Sequence, residues 1–372
     1  FLDFIKESEP KYNPVKIDPK DDVAIIFYTG GTTGKPKGVM LTHFNLVSNT
    51  FAFYSWYGRF STDTRALVLP LFHVYALLLI LSEGILEGAE CNIIPQFNPK
   101  EVIKLIQKNQ IKAYYGVAPM YQAFLKYYFQ DPKKYILPSL TFCTSGSVTI
   151  SSALWKDIKK IAPNAVIGEG YGCTEATAVL AGDPMTKNYE KKIGSVGIPI
   201  SDTDIKIIDS QTKQEILFGE FGEIIVRGPQ IFKGYWKKPE KTKEVLKDGW
   251  FYTKDIGKID EEGRLYIQSR LDDMINVRGE KVWPREVEEV LESHPKVREV
   301  AVIGVADDYY GQAIKACVVL KEGQEATKEE LIEFCKDKLA PHKVPHIIEF
   351  FNELPKSHMG RVLYYQLKGA NK

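Results

Sequence analysis

The chain has 372 residues, 44% of them hydrophobic and 26% charged, a globular composition long enough for more than one domain. A net charge of +1 supplies no field for nucleic acid or an anionic membrane surface, so neither is expected as a partner. The five cysteines (Cys91, Cys143, Cys173, Cys317, Cys335) are too scattered for a CxxC zinc pair or a disulfide framework and point to reduced thiols in a cytoplasmic setting.

In chain order, VAIIFYT (23–29) is a β-rich apolar run that enters YTGGTTGKPKGVMLTH (28–43). HFNLVSNTFAFYSWY (43–57) reads as a helix with an aromatic face. ALVLPLFHVYALLLIL (66–81) is too short to span a bilayer and is broken by Pro70 and His73, so a buried strand running into a helix is expected, with no integral membrane segment. PKEVIKLIQKNQ (99–110) sets Val102, Leu105 and Ile106 on one helical face, and IKAYYGVA (111–118) follows as a strand. SALWKDIKKIAP (152–163) is the next helix and NAVIGEGYG (164–172) the next strand, ending in a glycine-rich turn. This alternation predicts an α/β fold with a parallel sheet. From about 190 to 268 short strands such as DIKIID, GEIIVRG and GRLYIQS predict a β-rich subdomain. RLDD (270–273) is the expected boundary. Residues 271–372, with PREVEEVLESH, VREVAVIGVAD, IKACVVLK and TKEELIEFCKDKL, are expected to form a small α+β domain after a large one over 1–270.

The Gly/Thr/Lys stretch is a near miss to the nucleoside-triphosphatase loop GxxxxGK[ST]: Thr29 stands at the first glycine and Pro36 follows Gly34-Lys35. Two readings of the residues stay open. One is an anion nest of backbone N–H groups, with the hydroxyls of Thr29, Thr32 and Thr33 and the charges of Lys35 and Lys37; the other is a solvated turn without a ligand.

YTGGTTGKPKG taken together with GYGCTE (170–175), WFYTKD (250–255) and GRLYIQSRLDDMI (263–275) resembles the acyl-adenylate-forming superfamily of AMP-binding enzymes. That superfamily includes acyl-CoA synthetases, firefly luciferase and peptide-synthetase adenylation domains. The resemblance implies a large α/β domain and a small mobile C-terminal domain. It also implies ATP-dependent joining of a carboxylic acid to AMP with pyrophosphate release, then transfer of the acyl group to coenzyme A, with Mg²⁺ as cofactor. In such chemistry charge develops on phosphate oxygens, so donors and a metal carry most of the catalysis.

Residue by residue, the resemblance places Thr29, Gly30, Gly31, Thr32, Thr33, Gly34 and Lys37 around the β- and γ-phosphates. It makes Glu175 the Mg²⁺ carboxylate, beside Thr174 as a phosphate donor. Tyr171 and Gly172 would pack on adenine, with Gly146 and Ser147 of TSGSVT (144–149) on its other side. Asp255 would accept from the ribose hydroxyls and Arg270 would meet ribose and phosphate. His73 of PLFHVYA would be a gate or wall of the acyl site, and Gly116 and Val117 of YYGVAPMY would line it. Peptide-synthetase domains carry an Asp near PLFHVYA, which has none here, so an amino-acid substrate is not expected. Acetyl-CoA synthetases carry a tryptophan where Gly172 stands, and the glycine is expected to leave room for a longer acid. Because each buried methylene adds about 0.8 kcal/mol, a medium- or long-chain fatty acid is expected, with an aryl acid such as a cinnamate second.

Asp272 matches the hinge of the mobile domain, and Arg278 and Gly279 of VRGEKV would line the coenzyme A tunnel after rotation. The family's PK[TS]xxGK ends in a catalytic lysine; PKSHMGRVL puts Arg361 there, with the same charge on a planar, differently hydrated group. Family members carry well over a hundred residues before the phosphate loop and 27 precede Tyr28, so Phe1 is expected to start inside a longer chain. A protein that truly began there would expose apolar surface and is expected to self-associate, for example as a homodimer. Two alternatives remain: transfer of the acyl group to a carrier protein's phosphopantetheine, and a protein that binds nucleotide without adenylating.

Overall fold

The computed structural model describes residue 6 and residues 14–29, 36–57, 64–146, 150–186, 189–307, 309–357 and 360–369. At its centre five parallel strands run in the order Cys91–Ile93, Arg65–Leu67, Ala113–Gly116, Phe142–Ser145, Val166–Tyr171. Ala181–Gly182 and Ile198–Pro199 extend this sheet in antiparallel fashion. The helices predicted over 99–110 and 152–163 are Pro99–Lys108 and Ser152–Ile161. Each starts where a polar side chain accepts from its first turn: Asn98 from the Lys100 and Glu101 N–H groups, Ser151 from that of Leu154.

The 66–81 stretch runs from strand to helix as expected, but the strand is short. Pairing stops at Leu67, before Pro70, which has no N–H to donate to a ladder. A π-helical Tyr75–Ser82 follows and passes into an α-helix, Glu83–Glu87, that ends on Gly88 at φ +67°. This apolar unit buries one ion cluster, in which Arg65 meets Glu83 at 2.9 Å and also Glu87, and Tyr115 Oη donates to Glu83 at 2.8 Å. No helix among the described residues is long and apolar enough to cross a membrane.

One expectation is corrected. Val23–Thr29 does not join the parallel sheet. It pairs antiparallel with Lys37–Thr42, Thr29 opposite Lys37, and Gly234–Tyr235 adds a third strand. Only residues 30–36 separate Thr29 from Lys37, too few for the crossover helix that parallel pairing needs. The glycine-rich stretch thus connects the two strands of a hairpin, Val23–Thr29 and Lys37–Thr42.

The β-rich segment is a second sheet, Asp204–Ile208, Gly222–Arg227 and Trp250–Ile259, with Leu246–Lys247 and Leu265–Arg270 both on the last of these. Its apolar side chains merge with those of the parallel sheet into one core reaching Leu265.

From Ile275 on, the chain builds cores of its own around the long hairpin Val297–Asp307 and Gly311–Leu320. Val287, Leu291, Leu331 and Cys335 of the helices Pro284–Glu292 and Lys328–Lys336 cover one face, and Leu367 of the helix Tyr364–Gly369 lies on the other.

Candidate active site

Two neighbouring poles, linked through the charges of Arg270, Glu175 and Lys37, emerge from these elements. The first forms where Trp250–Ile259 pairs with Leu265–Arg270, because the register sets Asp255 directly opposite Arg270. A bulge sharpens the aim: Glu223 faces Ile256 and Ile225 faces Tyr252, so the intervening segment loops out, with Lys254 at φ +61°. A left-handed non-glycine residue inside a strand is strained, and such strain gathers at functional sites. Thr253 pins the bulge by donating to the Ile224 carbonyl at 2.7 Å and accepting from the Asp255 N–H at 3.0 Å.

Asp255 Oδ2 accepts from Tyr171 Oη at 2.6 Å, and Oδ1 lies 3.5 Å from Arg270 Nε. That nitrogen is buried and completes no hydrogen bond among the described residues. Burial works against the Arg270 charge, but Asp255 and Glu175 outweigh it and hold the guanidinium firmly protonated. Burial, aided by the Asp255 charge, pushes the Tyr171 phenol well above its usual range, so it stays a donor to Asp255.

The second pole is built on the hairpin. Lys37 Nζ lies 3.3 Å from Tyr235 Oη and 4.4 Å from the ring centroid, and Tyr235 Oη donates to Glu175 Oε1 at 2.8 Å. Burial pulls the Lys37 ammonium down and Glu175 opposes the shift. Arg270, Lys254 and Lys238 also bear on Lys37, and Lys238 donates to the Pro36 carbonyl at the loop's exit at 3.2 Å. Half-buried Thr174 and Glu175 sit in a short 3₁₀ turn after Tyr171. Burial, with Glu175 and Asp255 beside it, pushes the Cys173 thiol well above its usual range, which leaves it no thiolate character for catalysis.

The helix His43–Tyr57 clamps this floor from behind. Asn45 donates to the Pro229 and Ile231 carbonyls, and Asn49 exchanges hydrogen bonds with Val179. Glu169 likewise accepts from the Ile150 N–H at 2.7 Å, at the end of the TSGSVT segment, while a buried Lys191 pairs with Glu169 and Asp183.

The structure therefore brings together Lys37, Thr174, Glu175, Tyr171, Asp255 and Arg270. Thr29, at the strand's end, keeps a buried hydroxyl without a partner among the described residues. Gly30, Gly31, Thr32, Thr33, Gly34 and Ser147 lie outside the described residues. Gly146 is half-buried and lets the Tyr75 ring approach, since a Cβ there would lie 3.1 Å from it.

The residues expected at the acyl pocket each have close packing partners of their own. A Cβ on Gly172 would overlap the Ala178 carbonyl, so the glycine admits a crossing backbone. Gly116 and Val117 are buried, because Tyr114 and Tyr121 fold over Gly116 and a Cβ there would lie 2.7 Å from the Tyr114 ring. His73 Nδ1 accepts from the Tyr75 N–H at 3.2 Å, which makes it a helix-start acceptor kept neutral by burial.

In the C-terminal unit, Asp272 is exposed, 3.9 Å from Lys254, and Asp273 meets Lys368 at 3.2 Å. Arg278 and Gly279 form the two-residue turn between Ile275–Val277 and Glu280–Val282, at φ +53° and +90°. A tight hairpin of this kind requires positive φ at both positions, so Gly279 is accounted for by the turn, and the Arg278 guanidinium stacks 3.7 Å from the Tyr309 ring. Arg361 is exposed and its guanidinium has no partner among the described residues. Its loop nevertheless reaches the large unit: a Cβ on Gly360 would lie 2.8 Å from Pro119. Lys356 is engaged by Glu299 at 2.7 Å.

Sequence reasoning missed Asn45, Asn49, Tyr235, Lys238 and Lys254. For Tyr235 and Lys238 the signal was the aromatic and basic run GYWKKPEK (234–241), which matches no nucleotide motif by itself.

Comparison with known proteins agrees with this layout. Residues 2–236 match the AMP-binding enzyme family and residues 286–361 the AMP-binding enzyme C-terminal domain. A long-chain-fatty-acid–CoA ligase of Bacillus subtilis is 42% identical over 95% of this chain, which spans 62% of that relative's length. The ATP-bound structure of MatB from Rhodopseudomonas palustris superimposes with a TM-score of 0.92 at 30% identity, over 100% of this chain and 72% of its own. O-succinylbenzoate coenzyme A synthetase (MenE) from Bacillus subtilis, in complex with ATP and magnesium ion, gives 0.84 at 28% identity, over 99% and 74%. The chain belongs to the AMP-binding enzyme family.

Proposed function

We propose that this member of the AMP-binding enzyme family activates a medium- or long-chain fatty acid with ATP, releasing pyrophosphate, and then passes the acyl group to coenzyme A. The observation that carries the reading is the pairing of two neighbouring poles. An acceptor carboxylate beside an arginine, Asp255 and Arg270, suits a ribose and its phosphate. A convergence of Lys238 and Lys254 on Lys37, with Glu175 beside it, suits a polyphosphate.

Mg²⁺ fits the second pole. Among the described residues no cluster of three or more His, Cys, Asp or Glu side chains could hold a metal, and Glu175 keeps Oε2 free of hydrogen bonds. One carboxylate plus substrate phosphates is the donor set magnesium prefers. Bound there, the ion would neutralise phosphate charge. The chain's own part is to grip: Lys37 and the hairpin loop hold the outer phosphates, and Asp255, Tyr171 and Arg270 fix the nucleoside. Arg361, on the mobile unit 271–372 hinged at Asp272, is delivered to the reacting centre, which the approach of Gly360 to Pro119 supports. The fatty-acid assignment is supported by the relatives. A cytoplasmic setting fits five cysteines that form no disulfide with one another.

The test is pyrophosphate release with ATP, Mg²⁺ and acids from acetate to palmitate, without and with coenzyme A. Release that peaks at one chain length and turns over with coenzyme A is expected. Faster turnover of acetate than of octanoate would overturn the substrate assignment, and release without acyl-CoA formation would favour a carrier-protein acceptor.

A further inference from the structure

The hydroxyl of Tyr235 stands between two groups of opposite charge. Lys37 Nζ can only donate and the Glu175 carboxylate can only accept, so the hydroxyl accepts from the first at 3.3 Å and donates to the second at 2.8 Å. Lys37 and Glu175 form no direct ion pair among the described residues, although each lies in the other's field.

The fold fixes this spacer firmly. Tyr235 is 4% exposed and sits opposite Val39 on the third strand of the hairpin sheet, which sets it diagonal to Lys37. Its N–H donates to Thr242 Oγ1 at 2.9 Å, and its ring meets Phe232 edge-on at 4.9 Å.

We propose that Tyr235 is a positioning residue for the metal and phosphate pole. Its hydroxyl holds Glu175 Oε1, leaving Oε2 for Mg²⁺, and it keeps Lys37 from collapsing onto that carboxylate, so the lysine charge stays available to phosphate. The inference rests on the nucleotide-activating reading above and deepens it.

The test is Tyr235→Phe in the whole chain, which keeps the ring against Phe232 and under Lys37. Losing one hydrogen bond to a charged group should raise the Mg²⁺ concentration for half-maximal pyrophosphate release about 10-fold, while kcat at saturating Mg²⁺ falls by less than about 3-fold. Mn²⁺ binding in the presence of ATP, read by electron paramagnetic resonance, should weaken by a similar factor without reference to turnover. Unchanged metal dependence in Tyr235→Phe, or a fall in kcat with metal affinity intact, overturns the proposal. If the unaltered protein releases no pyrophosphate with any acid, the activity reading fails, and the Mn²⁺ measurements still judge Tyr235 by themselves.

Discussion

The nucleoside pole and the Arg361 loop solve opposite problems. At the nucleoside pole every polar atom is placed by backbone register: Asp255 faces Arg270 across two strands, the Thr253 hydroxyl pins the bulge between them, and Tyr171 closes the set from the neighbouring sheet. Arg361 itself is exposed, on a turn in which Ser357 and Arg361 exchange hydrogen bonds. Groups that bind substrate before chemistry gain from being fixed in advance, since ordering them at the moment of binding costs affinity. A group that acts in one step and must then leave gains from being tethered lightly.

The sharpest break of this comparison is Arg361→Ala. Removing one charged donor from a site of developing phosphate charge should slow pyrophosphate release by about 100-fold or more. An exposed side chain without a partner should leave the melting temperature within about 1 °C. Arg361→Lys should keep the rate within about 10-fold of the parent, because charge is conserved while the planar fork is lost. Rate assays beside thermal melts check both; a large drop in stability would mean that the loop is structural.

Asp255→Ala should do the reverse and disturb binding and fold together. It removes the acceptor for Tyr171 and leaves the half-buried Arg270 charge with Glu175 as its remaining carboxylate support. ATP affinity should fall about 10- to 100-fold and stability by about 1–2 kcal/mol, discounted because the pair is partly exposed. Isothermal titration with ATP and chemical denaturation read the two effects. A loss of affinity without a loss of stability would show that the pole is less preorganised than its geometry implies.

How much of this was legible in the sequence depends on what each residue must satisfy. Asp255 and Arg270 could be named because WFYTKD and GRLYIQSRLDDMI each match the family's pattern residue by residue, and the helix over 99–110 because Val102, Leu105 and Ile106 fall on one face. Gly172 carries a constraint that one dimension hides, because only the three-dimensional crossing of Ala178 shows a backbone lying against it. Val23–Thr29 was given the wrong sheet because an apolar run carries no information on its partner, which loop length and the distant strand Gly234–Tyr235 decided. Tyr235, Asn45 and Asn49 were invisible for a related reason, since each acts on a segment 60 or more residues away.

Within the C-terminal unit, Glu288 gives a milder test of how firmly that unit is built. It is buried, accepts from the Val302 N–H and from Tyr364 Oη at 2.9 Å each, and lies 3.9 Å from Arg285. Burial pushes its carboxyl up to about 7, against the pull of those donors. A carboxyl raised in the folded state binds its proton more tightly than the unfolded chain does. Its stabilising contribution is therefore complete below about 4.5, the unfolded value, and is lost as pH rises through about 7. Glu288→Gln keeps an acceptor for both donors without the charge. It should match the parent near pH 4.5 and exceed it at pH 8 by on the order of 1–2 kcal/mol. Melts across that range check the slope; identical pH dependence in both proteins would mean that Glu288 does not titrate there.

The smallest effect separates two uses of one glycine. Gly279 occupies a turn position at φ +90° with nothing near its Cβ direction. If the turn is its whole role, Gly279→Asn should cost less than about 1 kcal/mol, because asparagine tolerates left-handed backbone, and both half-reactions should run as before. If the turn also approaches coenzyme A closely after the unit rotates, the new side chain should slow thioester formation and leave pyrophosphate release untouched. Measuring the two half-reactions separately on this one variant distinguishes a fixed hairpin from a moving wall. It thereby tests whether the C-terminal unit, whose contact with Pro119 joins it to the large unit in one arrangement, takes up a second.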